Sequence, residues 1–384
     1  LYNAAVYNRK TQYQKLGKSV DYFEQQNSLP AFKEVWTEYK ELGSQALQAT
    51  LKRVDFAFQR FFKGLGGYPK FKSIRHYSGW TYPAKPGWKA PITGDNAYLE
   101  LSNLGWIQMR GKPRTWGTPN TCTICYRNGK WYASITVQCQ PERELGQGVI
   151  GADFGCKTAV ALSDGTKIEA PKFLATAQKQ IRKLSKQLRR KRKPEKRKIK
   201  ASRRWKATQR KISKVKRKAA NQRQDWVHQV ATDITRCHSI VVTEKINLKG
   251  MTRKAKTGKR KRQKSGLNRS LLDVGIGMLK SAIEYKLVEG NGFYVEAPTR
   301  ELKPTQRCAK CWKLTPKTLS DRMHVCSNPN CGHIEDRDVN SAQVCEIWVR
   351  SHELASLVAD GSSSTSCGSM KQLAQAKRQK PRPS

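Results

Sequence analysis

Acidic residues are scarce in this chain. Only 29 aspartates and glutamates stand against 75 lysines and arginines in 384 residues, a formal net charge of +46. An imbalance of that size exceeds what solubility needs and calls for a polyanion. Nucleic acid is the first choice, because every neutralised phosphate releases condensed counterions. The sequence also lacks an apolar run long enough to span a bilayer and a secretory h-region, which argues against a membrane partner. It lacks a balanced cysteine set as well: eleven cysteines, an odd number without a secretory signal, argue against a disulfide framework. They point to metal ligands or buried thiols in a reducing, cytoplasmic setting. An initiator methionine is absent too, and sequence upstream of Leu1 is expected. With 37% hydrophobic residues, the chain can still bury two or more cores.

Residues 1–67 read as helical. Leu47, Leu51, Val54, Phe58 and Phe61 recur at three- and four-residue steps and define one buried helix face. Gly64, Gly66, Gly67 and Pro69 end that region. From 68 to 146 the texture turns to short Tyr-, Trp-, Thr- and Ile-rich segments, a β domain expected to close as a small barrel. Its clearest piece, "TCTICYRNGKWYASITV", reads as a hairpin about Asn128-Gly129. Cys122 and Cys125 lie within it, but residues three apart on a strand face opposite ways, so they are not expected to share a metal. "GVIGADFGCKTAVALSDGTKIEA" reads as three strands, with a turn at Asp164-Gly165. A helical hairpin follows from about Lys172 to Asp233, with Ile181, Leu184, Leu188, Trp205 and Ile212 as its seam and cations outside. "HSIVVTEKINL" has the unbroken apolar run of a buried parallel strand. The basic stretch "MTRKAKTGKRKRQKSG" shows no periodicity and is expected to be mobile. A helix from about Ser270 to Gly290, the strand "GFYVEAP", and a last helix to about Val358 complete the pattern. Residues 359–384 are expected to be a disordered tail.

Two clusters carry chemistry. Cys308-x-x-Cys311 and Cys326-x4-Cys331 form two tight thiolate pairs, the ligand set of a closed structural Zn²⁺ ribbon with no open position for substrate. His324 and His333 are spare candidates, read as bystanders. The second cluster is scattered along the chain. Asp153 ends an apolar strand between Gly151 and Gly155, Glu244 ends another, and Asp338 follows the ribbon where a helix begins. Each alone is most often a turn former or a cap. Together, three carboxylates brought to one point could hold two divalent cations that activate water and stabilise the leaving oxygen of a phosphodiester. Mg²⁺ is the expected ion, because it takes hard oxygen ligands and keeps water and phosphate oxygens in its shell.

"GADFGCKTAVALSDG", "IVVTEKINLKGM" and "CAKC…CSNPNCGHIEDRDVNSA" resemble, in that order, the three RuvC motifs and inserted zinc ribbon of the TnpB (OrfB) family of insertion-sequence proteins. "KPTQRC" and "GYPKFKS" are similar to other segments of that family. The resemblance implies an α/β, RNase H-like RuvC core with an inserted zinc ribbon, behind an N-terminal helical lobe and a small β-barrel. It divides the chain into a recognition lobe (1–67), a wedge domain (68–146), the core with its basic hairpin (147–300), the ribbon (301–335), the final core segment (336–358) and the tail (359–384). Family members are similar to type V CRISPR effectors, RNA-guided DNA endonucleases. The resemblance therefore implies a guide RNA from the transposon end, double-stranded target DNA and a short motif beside the target; a monomer is favoured. Asp153, Glu244 and Asp338 match the catalytic acids, with Asp338 preferred to Asp336 because the acid stands two residues before the Asn. Cys308, Cys311, Cys326 and Cys331 match the zinc ligands. Ser341 stands where alanine is usual. The competing expectations are a nuclease-inactive RNA-guided DNA-binding repressor and a transposase acting directly in DNA recombination.

Overall fold

A computed structural model describes residues 1–73, 77–90, 96–111, 116–127, 129–194, 200–254, 261–318 and 320–351. The chain divides into two compact units, one from Leu1 to Pro141 and one from Glu142 onward.

The first unit opens with α1 (Tyr2–Leu16), α2 (Tyr22–Asn27), α3 (Leu29–Val35), a 3₁₀ turn and α4 (Ser44–Phe62). Local chemistry sets their ends: α1 stops at Gly17, whose φ of 63° suits a residue without Cβ, and Asp21 caps α2 by accepting from the Glu24 amide. The expected stripe is buried except at Phe61, which stays partly exposed near the end of α4. Leu47, Leu51, Val54 and Phe58 pack on Tyr2, Ala5, Val6 and Leu29. Then come β1 (Gly79–Tyr82), β2 (Trp88–Lys89), β3 (Tyr98–Leu101), β4 (Gly105–Gln108), β5 (Thr118–Arg127) and β6 (Lys130–Gln138). They form two three-stranded antiparallel sheets, β1-β5-β6 and β2-β3-β4, around Tyr82, Trp88, Leu99, Leu101 and Cys122. No ladder joins the two among the described residues, so the expected barrel is not closed there. The β5–β6 register runs to Arg127 opposite Lys130, with Gly129 at φ 83°; Asn128 lies outside the described residues. Cys122 is buried toward the sheet core, and Cys125, three residues on, is not.

The second unit is built on one mixed sheet. Its strands are β7 (Val149–Phe154), β8 (Thr158–Leu162) and β9 (Lys167–Glu169), followed by α5 (Phe173–Arg189), α6 (Arg203–Cys237), β10 (Ile240–Glu244), α7 (Leu248–Met251), α8 (Lys261–Val274), α9 (Ile276–Glu289) and β11 (Phe293–Ala297). The strand order is β11-β10-β7-β8-β9; the first three are parallel and the last two antiparallel. One face carries α6 and α9, with Val227, Val230, Ile234, Leu279, Ile283 and Leu287 against Ile150, Ala152, Phe154 and Val241. The basic stretch before Ser270 is partly helical, contrary to expectation: α8 starts at Lys261, and a break at Gly275 (φ 79°) separates it from α9. Lysine and arginine are good helix formers, and a face left to solvent shows no apolar period to read. Residues 255–260 of that stretch lie outside the described set. The segment after β11 holds α10 (Thr299–Leu302), β12 (Met323–Val325) and β13 (Ile334–Asp336), and runs straight into α11 (Arg337–Arg350). That last helix covers the opposite face of the sheet, where Val344, Cys345 and Val349 meet Ile240, Val242 and Ala297. The expected continuation to Val358 and the tail lie outside the described residues.

Candidate functional site

Strand periodicity decides which way the acids point. On β7, Ile150, Ala152 and Phe154 enter the core shared with α6 and α9, so the alternate residues Gly151 and Asp153 face α11. On β10, Ile240 and Val242 face α11, and Glu244 is next in that phase. Parallel pairing sets Val242 opposite Gly151 and Thr243 opposite Ala152. One step further brings Glu244 level with Asp153, at the carboxyl ends of adjacent strands.

Helix α11 supplies the third acid. A Cβ built on Gly151 would lie 1.9 Å from the carbonyl oxygen of Ala342, so the backbone of α11 rests directly on β7 at this point. Asp338 is four residues before Ala342 and therefore on the same helix face, one turn, about 5.4 Å, toward the helix start. Asp153 is two residues, about 6.6 Å, past Gly151 along β7, where the charge of Asp338 reaches it. The glycine at 151 thus admits a helix rather than a substrate. Gly155 likewise faces the chain itself, with the Thr158 carbonyl 2.6 Å from an added Cβ.

The electrostatics register this convergence. Burial, then the negative charges of Glu244 and Asp338, push the Asp153 carboxyl up to about 8 against the opposing pull of Arg337. Burial also raises Glu244, with Lys280 opposing. All three acids remain partly exposed. Among hard oxygen donors so arranged, a divalent cation is the natural counter-charge, and the donor chemistry fits Mg²⁺. Cys345, buried in α11 behind them, has its thiol pushed up by burial and by the charges of Asp153 and Glu244.

The neighbouring Asp336 has a different task. It ends β13 and caps α11, its Oδ1 accepting from the amides of Asp338 at 2.9 Å and Val339 at 3.3 Å, while Oδ2 pairs with Lys167 at 2.7 Å. Among the described residues Asp338 instead takes long contacts from the Arg337 guanidinium alone, at 3.3 Å, and keeps oxygen capacity in reserve.

The four cysteine sulfurs lie within 4.8 Å of one another, with Cys308 and Cys331 3.8 Å apart and Cys311 and Cys326 3.4 Å apart. Tetrahedral ligation with bonds of about 2.3 Å implies S···S edges of about 3.8 Å, so the cluster suits a four-thiolate metal site. His324 and His333, with ring centroids 5.8 Å apart, stand outside that cluster. The thiols are unlike: burial pushes Cys308 up to about 12, whereas the Lys313 amide brings Cys311 down to about 6.

Sequence reasoning overlooked Asn340. Its side chain is fully buried; Oδ1 accepts from the Ala309 amide at 3.1 Å, and Nδ2 donates to the Arg307 carbonyl at 2.7 Å. The carboxamide therefore grips the backbone on both sides of Cys308. Only its spacing from Asp338 was visible in the sequence. Arg337 was missed as well: Nη1 donates to the Asp321 carbonyl at 2.9 Å while Nε and Nη2 face Asp338.

The model of the OrfB family, described as "Probable transposase", matches residues 132–255, which include Asp153 and Glu244. A second, "Cas12f1-like, TNB domain", matches residues 277–345, which include the four cysteines and Asp338. The chain is 28% identical over 350 residues to "Putative RNA-guided DNA endonuclease InsQ" of Escherichia coli (strain K12), covering 89% of this chain and 80% of the relative. It is 25% identical over 361 residues to a "Putative RNA-guided DNA endonuclease" of Streptomyces pristinaespiralis, covering 89% of this chain and 81% of that protein. In fold it is similar to a chain of the Cas12f1-sgRNA-target DNA complex solved by cryo-electron microscopy, with a TM-score of 0.54 and 14% identity over 90% of this chain and 79% of that one. Two family models in the expected order, sequence relatives along most of the chain and a shared fold agree with the motifs: the chain is similar to the TnpB (OrfB) family of insertion-sequence proteins.

Proposed function

We propose that the protein is a transposon-encoded, RNA-guided DNA endonuclease whose RuvC-type centre is Asp153, Glu244 and Asp338. The five-stranded sheet with its flanking helices serves as the RNase H-like core, and the segment carrying Cys308, Cys311, Cys326 and Cys331 as a structural zinc ribbon. The observation that carries the reading is the coupling of the three acids. They come from β7, β10 and α11, far apart in sequence, yet two of them raise the pKa of the third.

Two Mg²⁺ ions held by these carboxylates would supply an activated water and stabilise the leaving oxygen of a phosphodiester. The remaining work belongs to the chain itself. Asp336 caps the helix that presents Asp338. Arg337 tethers that carboxylate and reduces the repulsion at Asp153. The charge of Lys280, which is bonded to Glu296, opposes the effect of burial at Glu244. The cations of α5 and α6 offer phosphate contacts to a guide RNA and to duplex DNA. Four sulfur ligands leave a zinc ion no open position, so the ribbon holds shape and does no chemistry.

The test is cleavage of a supercoiled plasmid bearing a target matched to the copurifying RNA, in Mg²⁺ and then in chelator. The protein linearises or nicks the plasmid only with the ion, and Asp153→Ala loses cutting while still binding RNA. Equal cutting by Asp153→Ala would overturn the assignment. Sequestration of the target without cutting, in Mg²⁺, would favour a repressor.

A further inference from the structure

We propose that Asn340 is a positioning residue that couples the cysteine ribbon to the acidic centre, so that ribbon metal occupancy sets how well the carboxylates bind a divalent cation. The inference rests on the nuclease reading above and deepens it.

Asn340 lies on α11 two residues after Asp338, and its fully buried carboxamide is spent on the ribbon. One end accepts from the Ala309 amide and the other donates to the Arg307 carbonyl, so the side chain clasps the chain on both sides of Cys308. That knuckle is ordered by short-range bonds. The Cys308 amide donates to the Lys313 carbonyl at 3.0 Å, and the Trp312 amide to the Cys308 carbonyl at 3.0 Å. Arg307 is itself held by its guanidinium at the carbonyls of Leu302 and Trp312, both at 2.8 Å.

The second link is the main chain. Met323 pairs with Asp336 in the β12–β13 ladder, and the Arg337 amide donates to the Arg322 carbonyl at 2.9 Å. Asp336 is therefore both the last rung of the ribbon and the cap of α11. Clasp and ladder both hold the first turn of α11, the turn that carries Asp338. Metal bound by the cysteines keeps Cys308 in register with the other three ligands, and the clasp passes that register to the helix. Without the metal, or without the clasp, the turn keeps its cap, its ladder and the Arg337–Asp321 contact but loses the hold on the Cys308 knuckle, and Asp338 is fixed less well relative to Asp153 and Glu244.

The test uses the full chain and the Mn²⁺ ion as probe. Mn²⁺ binding is followed by the electron paramagnetic resonance signal of the free ion, with zinc content measured in parallel. Asn340→Ala is expected to retain zinc and to bind Mn²⁺ at the acidic centre about tenfold more weakly, the lower end of the usual effect of residues that orient metal ligands. Asn340→Asp keeps the acceptor for the Ala309 amide and is expected to recover part of the loss; it also stands in if the alanine variant does not fold. Extracting zinc from the wild-type protein should weaken Mn²⁺ binding by a similar factor. Unchanged Mn²⁺ affinity in the zinc-depleted protein, or in a zinc-loaded Asn340 variant, overturns the coupling. If the wild-type protein has no Mn²⁺ site sensitive to Asp153→Asn, the nuclease reading itself fails, and the coupling with it.

Discussion

Asp153 is placed where its own charge is unwelcome. In the cation-free protein its carboxyl lies near 8, far above the ordinary 3.8. As pH rises between those values the unfolded chain releases this proton and the folded chain keeps it, so stability falls, by at most about 1.4 kcal/mol per pH unit from this group. Thermal melts of cation-free protein from pH 5 to 8 should show that decline, Asp153→Asn should flatten it, and Mg²⁺ should restore the wild-type melting temperature at pH 8. Ser341 offers an independent check. Its hydroxyl is buried and finds no hydrogen-bond partner among the described residues. Ser341→Ala removes that unsatisfied group and should stabilise the fold by about 1 kcal/mol, measured by chemical denaturation. At this scale the sequence is informative where chemistry is local and silent where it is shared. The preference for Asp338 over Asp336 comes from the family resemblance; in the structure Asp336 is committed as a cap and to Lys167. Asn340 is invisible as a clasp because its partners lie 33 and 31 residues away.

Elements succeed or fail by how they pack. The stripe on α4 and the buried run of β10 were readable because a single period of apolar residues reports a single buried surface. The start of α8 was not, since a basic helix facing solvent carries no such signal. Barrel closure depends on which sheet edges meet, and strand composition does not encode that. The contact between β7 and α11 is the element on which the acidic centre turns. Gly151→Ala would drive a methyl group into the Ala342 carbonyl. It should cost about 3 kcal/mol by overpacking and lower Mg²⁺-dependent cutting more than RNA binding. The ribbon makes its own prediction through its thiols. At neutral pH, zinc must displace protons from Cys308 and Cys331, both raised by burial, but not from Cys311, which lies near 6. Titration calorimetry in buffers of different ionisation enthalpy should show that release, with zinc affinity weakening as pH falls.

For the molecule as a whole, charge governs encounter. With a net +46, non-specific duplex affinity should fall about a thousandfold between 50 and 200 mM salt, as roughly six neutralised phosphates require. A filter-binding series without guide RNA measures it; a slope near zero would mean that the cations are not used against phosphate. Among the described residues no helix is long and apolar enough to cross a membrane. Much of the positive charge is borne by α6, whose 35 residues extend about 52 Å, the length of about 15 base pairs of duplex. The carboxyl-terminal half of that helix is anchored under the sheet by Val227, Val230, Ala231 and Ile234, while its amino-terminal half carries most of its arginines and all of its lysines. A rod anchored at the sheet and packed along α5 transmits rotation. One residue inserted between Ala219 and Val227 would turn the distant cations by about 100° without touching the sheet, so the pitch of a single helix fixes the compass bearing of the charge.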